Sequence, residues 1–114
     1  MSRKLSIIIV NYNSKGMLKD CLASIQQHLT VDYEVIVVDN DSTDNSIALC
    51  SEFESLPQFK IIRAAENMGF AKGCNVGADA ARGEILHFLN PDRALQQGAD
   101  SDYEKVFLNP DKVY

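Results

Sequence analysis

Residues 35–38, VIVV, run without a break into Asp39, Asn40, Asp41, Ser42, Thr43 and Asp44. This junction constrains the fold more than any other stretch of the chain. An unbroken β-branched run suits a strand buried on both faces of a parallel sheet. The turn that follows is rich in oxygen ligands and helix-capping residues. In open α/β sheets, ligands bind outside the carboxyl ends of the strands, beside a topological switch point. Two readings stay open: the floor of a nucleotide site, or a turn carrying a helix N-cap.

Residues 5–10 (LSIIIV) form a second buried-strand run, ending in Asn11, Tyr12, Asn13 and Ser14. Asn13 or Ser14 is expected to cap an amphipathic helix with apolar positions Met17, Leu18, Cys21, Leu22, Ile25 and Leu29. Ser42 or Thr43 is expected to open a second helix carrying Ile47, Leu49, Cys50 and Phe53, which Pro57 stops. Residues 59–62 (FKII) read as a third strand and 84–89 (EILHFL) as a fourth, which ends in Asn90, Pro91 and Asp92. Alternation of the first five elements as βαβαβ predicts a parallel sheet. Right-handed crossovers place its strands in the order 3-2-1. The expected fold class is α/β: an open, mainly parallel sheet of order 3-2-1-4 with helices on both faces. The ends of strands one, two and four then converge.

Gly69, Gly73 and Gly77 recur every four residues, and Ala81 continues the row. On a helix they share one smooth face. Each internal glycine costs roughly 1 kcal/mol relative to alanine, so the row needs a reason. Tight helix–sheet packing and close approach to a ligand are compatible readings. The run matches neither GxGxxG nor GxxxxGK[ST], which sets aside dinucleotide oxidoreductases and P-loop NTPases.

The 114 residues amount to one small domain or part of a larger one. Hydrophobic residues at 46% and charged ones at 24% argue against disorder. A net charge of −5 speaks against nucleic acid or an anionic membrane as a general partner. A phosphate-bearing ligand would need a metal ion or local cations, of which Lys72 and Arg63 are candidates. Cys21, Cys50 and Cys74 form no CxxC pair and match no zinc spacing, so reduced thiols and a cytoplasmic location are expected. The run at 5–10 is too short for a secretory leader, and nothing approaches membrane-spanning length.

Asp92 is the candidate metal ligand, since Mg2+ and Mn2+ prefer hard oxygen donors and commonly share carboxylates with substrate phosphates. Asn-Pro-Asp is also good turn chemistry. Asp39 suits a base N–H or a ribose hydroxyl, and Tyr12 offers either an aromatic surface for a base or plain packing. His87, in an apolar strand, reads as a structural histidine.

SIIIVNYNS, YEVIVVDNDSTDNS and ENMGFAKGCNVGADAARGEILHFLNPD, at their spacing, resemble the start of the family-2 glycosyltransferases. The rhamnosyltransferase-like branch is nearest in pattern, with NPD in place of the acidic DxD. The resemblance covers residues 4–95. It implies the GT-A nucleotide-sugar fold and inverting transfer from a nucleotide-diphosphate donor, usually with Mg2+ or Mn2+. By the same resemblance, Asn11 and Tyr12 fall where the base pocket is lined. Asp39 falls on the acid that contacts the nucleoside, with Asp41 and Ser42 nearby. Asn67, Gly69, Lys72 and Asn75 match the donor-side loop and helix, and Asp92 matches the metal-binding acid. Asn90 replaces the first acid of DxD, which weakens the expectation of metal dependence.

The resemblance places the acceptor site and general base in a second half that nothing in residues 93–114 matches. A nucleotide-sugar-binding domain at 1–95 and a tail at 96–114 are expected, as an expressed fragment or a shortened gene product. Catalysis by this chain stays open beside two alternatives, a non-catalytic nucleotide-sugar-binding module and a self-associating remnant. A sheet without that half exposes apolar surface, so a homo-oligomer is expected. FLNPD occurs at 88–92 and again at 107–111, the second copy reading as an edge strand or a coincidence. The context implied is cell-surface polysaccharide synthesis, with a saccharide acceptor, in the cytoplasm or at the inner face of the membrane.

Overall fold

A computed structural model describes residues 5–95. The expected tail and the second FLNPD lie outside the described residues. Four strands, β1 (Leu5–Asn11), β2 (Tyr33–Asp39), β3 (Phe59–Arg63) and β4 (Ile85–Phe88), form one sheet of order β3-β2-β1-β4. Every neighbouring pair is parallel, so the expected order 3-2-1-4 holds. Helix α1 spans Met17–His28, α2 spans Ser51–Glu54 and α3 spans Phe70–Ala80.

Alternation along the strands divides the core between the two faces. Leu5, Ile7, Ile9, Val35, Val37 and Phe59 pack with Leu18, Cys21, Leu22 and Ile25 of α1 and with Phe53 of α2. Ile8, Val10 and Val38 point the other way, onto α3. A Cβ added at Gly73 would stand 2.8 Å from Val10 Cγ1, and one at Gly77 only 2.4 Å from Ile8 Cγ2. These two glycines therefore let α3 lie directly on β-branched side chains. Gly69 lies outside the helix, at its N-cap, with φ +84°. The row of small residues thus splits into two packing positions and one turn position.

The expected caps are not formed. Helix α1 begins after Gly16 with no side-chain cap, because Asn13 and Ser14 bond elsewhere. The second helix shrinks to a 3-10 turn, Ala48–Cys50, followed by the single turn of α2. Side chains compete with helix for the backbone N–H groups of residues 42–46: Asp39 Oδ2 accepts from Ser42 N, and Asp44 Oδ1 from Ser46 N. Met17 and Leu49, apolar positions of the two expected helices, are exposed.

Among the described residues strand β4 is an edge of the sheet. Leu86 and Phe88 pair in register with Ser6 and Ile8 and share the α3 side, yet they are 42% and 46% exposed. No helix among the described residues is long and apolar enough to cross a membrane.

Candidate functional site

Strand register builds the site. Asn11 is the lateral partner of Asp39, which in turn partners Arg63, so three strand ends stand level at the carboxyl edge. Asn11 and Asp39 continue the stripe of Ile9 and Val37 toward the α1 and α2 side. Both are buried, Asn11 at 0% and Asp39 at 6% exposure. Asn11 Nδ2 donates to Asp39 Oδ1 at 3.0 Å and to Ser46 Oγ at 3.0 Å. Ser42 Oγ donates to the same Asp39 oxygen at 2.6 Å.

The loop after β1 and the loop after β2 are stitched together. Asn13 Oδ1 accepts from the backbone N–H groups of Thr43 (2.8 Å) and Asp44 (3.2 Å), while Asn13 N donates to Ser42 Oγ (2.9 Å). Lys15 N donates to Asp44 Oδ2 at 2.9 Å. Asn13, Lys15 and Asp41 hold φ of 49°, 54° and 62°. Asparagine and aspartate tolerate this left-handed region and lysine does so less readily, so the bond from Lys15 N to Asp44 helps to hold the turn. The hydroxyl and backbone N–H of Ser46, with the Lys15 N–H, keep the Asp44 carboxyl below the ordinary carboxylate range.

One residue past Asp39 the alternation sends Asn40 to the opposite face. It is buried, and Nδ2 donates to Gly69 O at 3.0 Å while Oδ1 accepts from Met68 N at 3.4 Å. Asn67 Oδ1 accepts from Gly69 N at 2.9 Å, shaping the same turn. Helix α3 therefore starts at the carboxyl edge, with its positive dipole end there. Lys72 and Asn75 are exposed on its first turns. Tyr12 is 49% exposed beside the buried Asn11, and Asp41 is exposed.

Arg63, a candidate phosphate cation in the sequence, is engaged instead with Glu54 through two bonds of 2.7 and 2.9 Å. Those bonds lower the Glu54 pKa and raise that of Arg63. The turn after β4 is closed by Arg93 N donating to Asn90 O at 3.0 Å, and Cys21 Sγ donates to Arg93 O at 3.3 Å. Asn90 and Asp92 are exposed. Among the described residues no group of three or more His, Cys, Asp or Glu could hold a metal ion. A single exposed carboxylate fits a divalent cation only as a partial ligand, shared with phosphate oxygens and water.

Sequence reasoning placed Asn13 and Ser14 as caps and left Asn40 and Ser46 without a role. The signal available for Asn40 was a polar residue directly after a fully buried strand, opposite in parity to Asp39.

The family model described as "Glycosyl transferase family 2" matches residues 6–111. The chain belongs to this family. An uncharacterised glycosyltransferase of Bacillus subtilis strain 168, YfnE, is 40% identical over 111 residues, which is 96% of this chain and 28% of YfnE. The teichoic acid poly(glycerol phosphate) polymerase of Staphylococcus epidermidis is 33% identical over 110 residues, 95% of this chain and 15% of the polymerase. Among solved structures, S. aureus TarS 1–349 in complex with UDP-GlcNAc superposes with a TM-score of 0.82 at 26% identity, covering 91% of this chain and 31% of that one. The mannosyltransferase PcManGT from Pyrobaculum calidifontis, with GDP-Man and Mn2+, gives 0.83 at 22% identity over 96% of this chain and 34% of its own, a likeness of fold alone. The chain thus spans about a third or less of the length of these relatives. Its sheet and helices are those of the GT-A fold. In this family-2 domain side-chain hydrogen bonds join the loops after β1 and β2 at the carboxyl edge.

Proposed function

We propose that the carboxyl edge of the sheet binds the donor of a sugar transfer, a nucleotide-diphosphate sugar carrying uridine or deoxythymidine. The observation that carries this reading is a hydrogen-bond-fixed Asp39 on the same edge as an exposed Tyr12. A carboxylate is an acceptor, suited to a base N–H or a ribose hydroxyl, and the tyrosine ring offers a stacking face. The turn holding Asn67 and Gly69, with Lys72, Asn75 and the α3 N-terminus, suits the diphosphate. Asp41 borders the nucleoside and Asn90 the diphosphate. Likeness to a protein that binds UDP-GlcNAc supports the uridine form.

In the whole protein, a base takes the proton of an acceptor hydroxyl as its oxygen attacks the anomeric carbon. The bond to the nucleoside diphosphate breaks on the opposite face, and configuration inverts. No residue of this chain is assigned as that base. Asp92 would hold Mg2+ or Mn2+ jointly with the donor phosphates, and the ion would supply positive charge against the departing diphosphate. A saccharide acceptor, cell-surface polysaccharide synthesis and a cytoplasmic location, at the membrane's inner face or free of it, complete the proposal. The teichoic acid polymerase among the relatives supports that context.

Calorimetric titration of the 114-residue chain with UDP and dTDP, with and without Mn2+, tests the reading on wild type and Asp92→Ala. Metal-enhanced binding that the variant loses is the expected result. Binding of neither nucleotide would overturn it. A second reading, self-association, is favoured by exposed Leu86 and Phe88 on the edge strand β4. Sedimentation as a dimer or larger would support that reading, and a monodisperse monomer would remove it.

A further inference from the structure

We propose that Asn11 is a positioning residue for nucleoside recognition, acting through Asp39 without touching the ligand itself. The proposal rests on the donor-site reading above and goes further by separating two residues that the resemblance groups together. Asn11 is 0% exposed, so no ligand reaches its side chain in this arrangement. It also ends a stripe of aliphatic residues, Ile7 and Ile9, where an amide is costly unless all its groups are bonded.

Every polar group of that amide is engaged. Ser14 Oγ donates to Asn11 Oδ1. Nδ2 has two hydrogens and two acceptors at 3.0 Å, Asp39 Oδ1 and Ser46 Oγ, with Ser42 Oγ sharing at 3.3 Å. The amide cannot turn over, because the flipped carbonyl would face the Asp39 carboxylate, acceptor against acceptor. Asn11 is therefore a donor of fixed direction.

The consequence falls on Asp39. Its Oδ1 already accepts from Asn11 Nδ2 and from Ser42 Oγ at 2.6 Å. Among the described residues its Oδ2 accepts only the longer bond from Ser42 N at 3.2 Å. A carboxylate oxygen takes about two hydrogen bonds, so Oδ2 is the oxygen with acceptor capacity to spare. Without the Asn11 donor each oxygen keeps one bond from Ser42. Oδ1 then loses its second bond, the contrast in spare capacity between the oxygens shrinks, and the carboxylate is held less firmly in direction. A base that offers an N–H at its Watson–Crick edge, as uracil and thymine do at N3, meets an acceptor at one defined place. Cytosine presents a lone pair there instead.

The test is titration of the 114-residue chain with UDP, dTDP and CDP, using wild type, Asn11→Leu, Asp39→Asn and the double variant. Asn11→Leu keeps the side-chain shape and removes the donors. It is expected to weaken the better of UDP and dTDP by about tenfold, the scale of one hydrogen bond to a charged group. It is also expected to shrink the preference over CDP. In the Asp39→Asn background the same change should add no more than about twofold, since both act through one carboxylate. If Asn11→Leu does not fold, Ser14→Ala releases only the carbonyl side of the amide and is read in the same way, with a smaller loss of about threefold. A folded Asn11→Leu or Ser14→Ala chain with wild-type affinity and preference overturns the proposal, and so do losses that add in full to those of Asp39→Asn. Wild type that binds none of the three nucleotides overturns the donor-site reading itself, which separates the two failures.

Discussion

Asn40 Nδ2 lies 3.0 Å from the carbonyl oxygen of Gly69, tying the residue after β2 to the residue before α3. Asp39, one position earlier, bonds on the other side of the sheet to Asn11 and Ser42. Two adjacent polar residues thus anchor loops on opposite faces. Asn40→Ala leaves Gly69 O and Met68 N without these two half-buried bonds. It should lower the unfolding free energy by about 1–3 kcal/mol, measured by urea denaturation, and speed amide exchange around residues 68–72.

The two buried glycines of α3 have a different sensitivity. Gly77→Ala brings a methyl to 2.4 Å from Ile8 Cγ2, a stiff branch near the backbone. Overpacking costs about 1–3 kcal/mol, against a helix-propensity gain of about 1 kcal/mol. The expected net loss is up to about 2 kcal/mol. Gly69→Ala meets no neighbour within 4 Å but must hold φ +84° and ψ 169°, so its loss of about 1–3 kcal/mol comes from backbone strain. Chemical denaturation of both variants checks the two origins.

Asn13→Ala removes the acceptor that serves Thr43 N and Asp44 N. These bonds are exposed or half-buried, so the stability loss should be small, about 0.5–1.5 kcal/mol. Faster hydrogen exchange at Thr43 and Asp44, with β1 and β2 unchanged, is the expected signature.

Burial pushes the Cys21 thiol up to about 12 and the Cys50 thiol to about 11. Native protein should therefore react with a thiol reagent first at the half-buried Cys74, and with Cys21 and Cys50 only on unfolding. The sign for stability follows. The unfolded thiols ionise near 9.0 while the folded ones stay protonated, so stability falls as pH rises from about 9 toward 12. Thermal melts across that range read it, and Cys21→Ala should flatten the decline.

Burial lowers the His87 pKa below 6.5. As pH drops through 6.5 the unfolded chain takes the proton first, and stability is lost until the folded-state value is passed. Glu54, lowered below 4.5 by its bonds from Arg63, adds a second loss below that pH, small because the pair is exposed. His87→Gln should remove the first slope and leave the second, as seen in melting temperature against pH.

Much of this fold was legible before any coordinates. The runs at 5–10, 35–38 and 59–62 each lie on a strand, and the run at 84–89 contains the shorter strand Ile85–Phe88. Unbroken β-branched stretches have few other places to go, and the handedness of crossovers narrows their order to a few, of which 3-2-1-4 is the one found. The acids and amides at the strand ends were equally plain. Of the three spaced glycines, Gly73 and Gly77 have the close neighbour the row calls for, while Gly69 serves a turn. Legibility ended at the partners. Asn13 and Ser14 have the chemistry of helix caps, yet they serve residues 43 and 44 in the next loop and Asn11. Arg63 has the charge for a phosphate and gives it to Glu54. The second helix had apolar positions enough, but side chains near residues 42–46 took the N–H groups it needed.

Hydrophobic period and turn composition are local quantities, set by residues a few positions apart, and they suffice to say which segments enter the sheet, while crossover handedness narrows their order. The bond between Asn11 and Asp39 spans 28 residues and exists because parallel register makes them neighbours. A buried polar group bonds to whatever acceptor or donor packing brings within about 3 Å, and only the assembled sheet brings that one there.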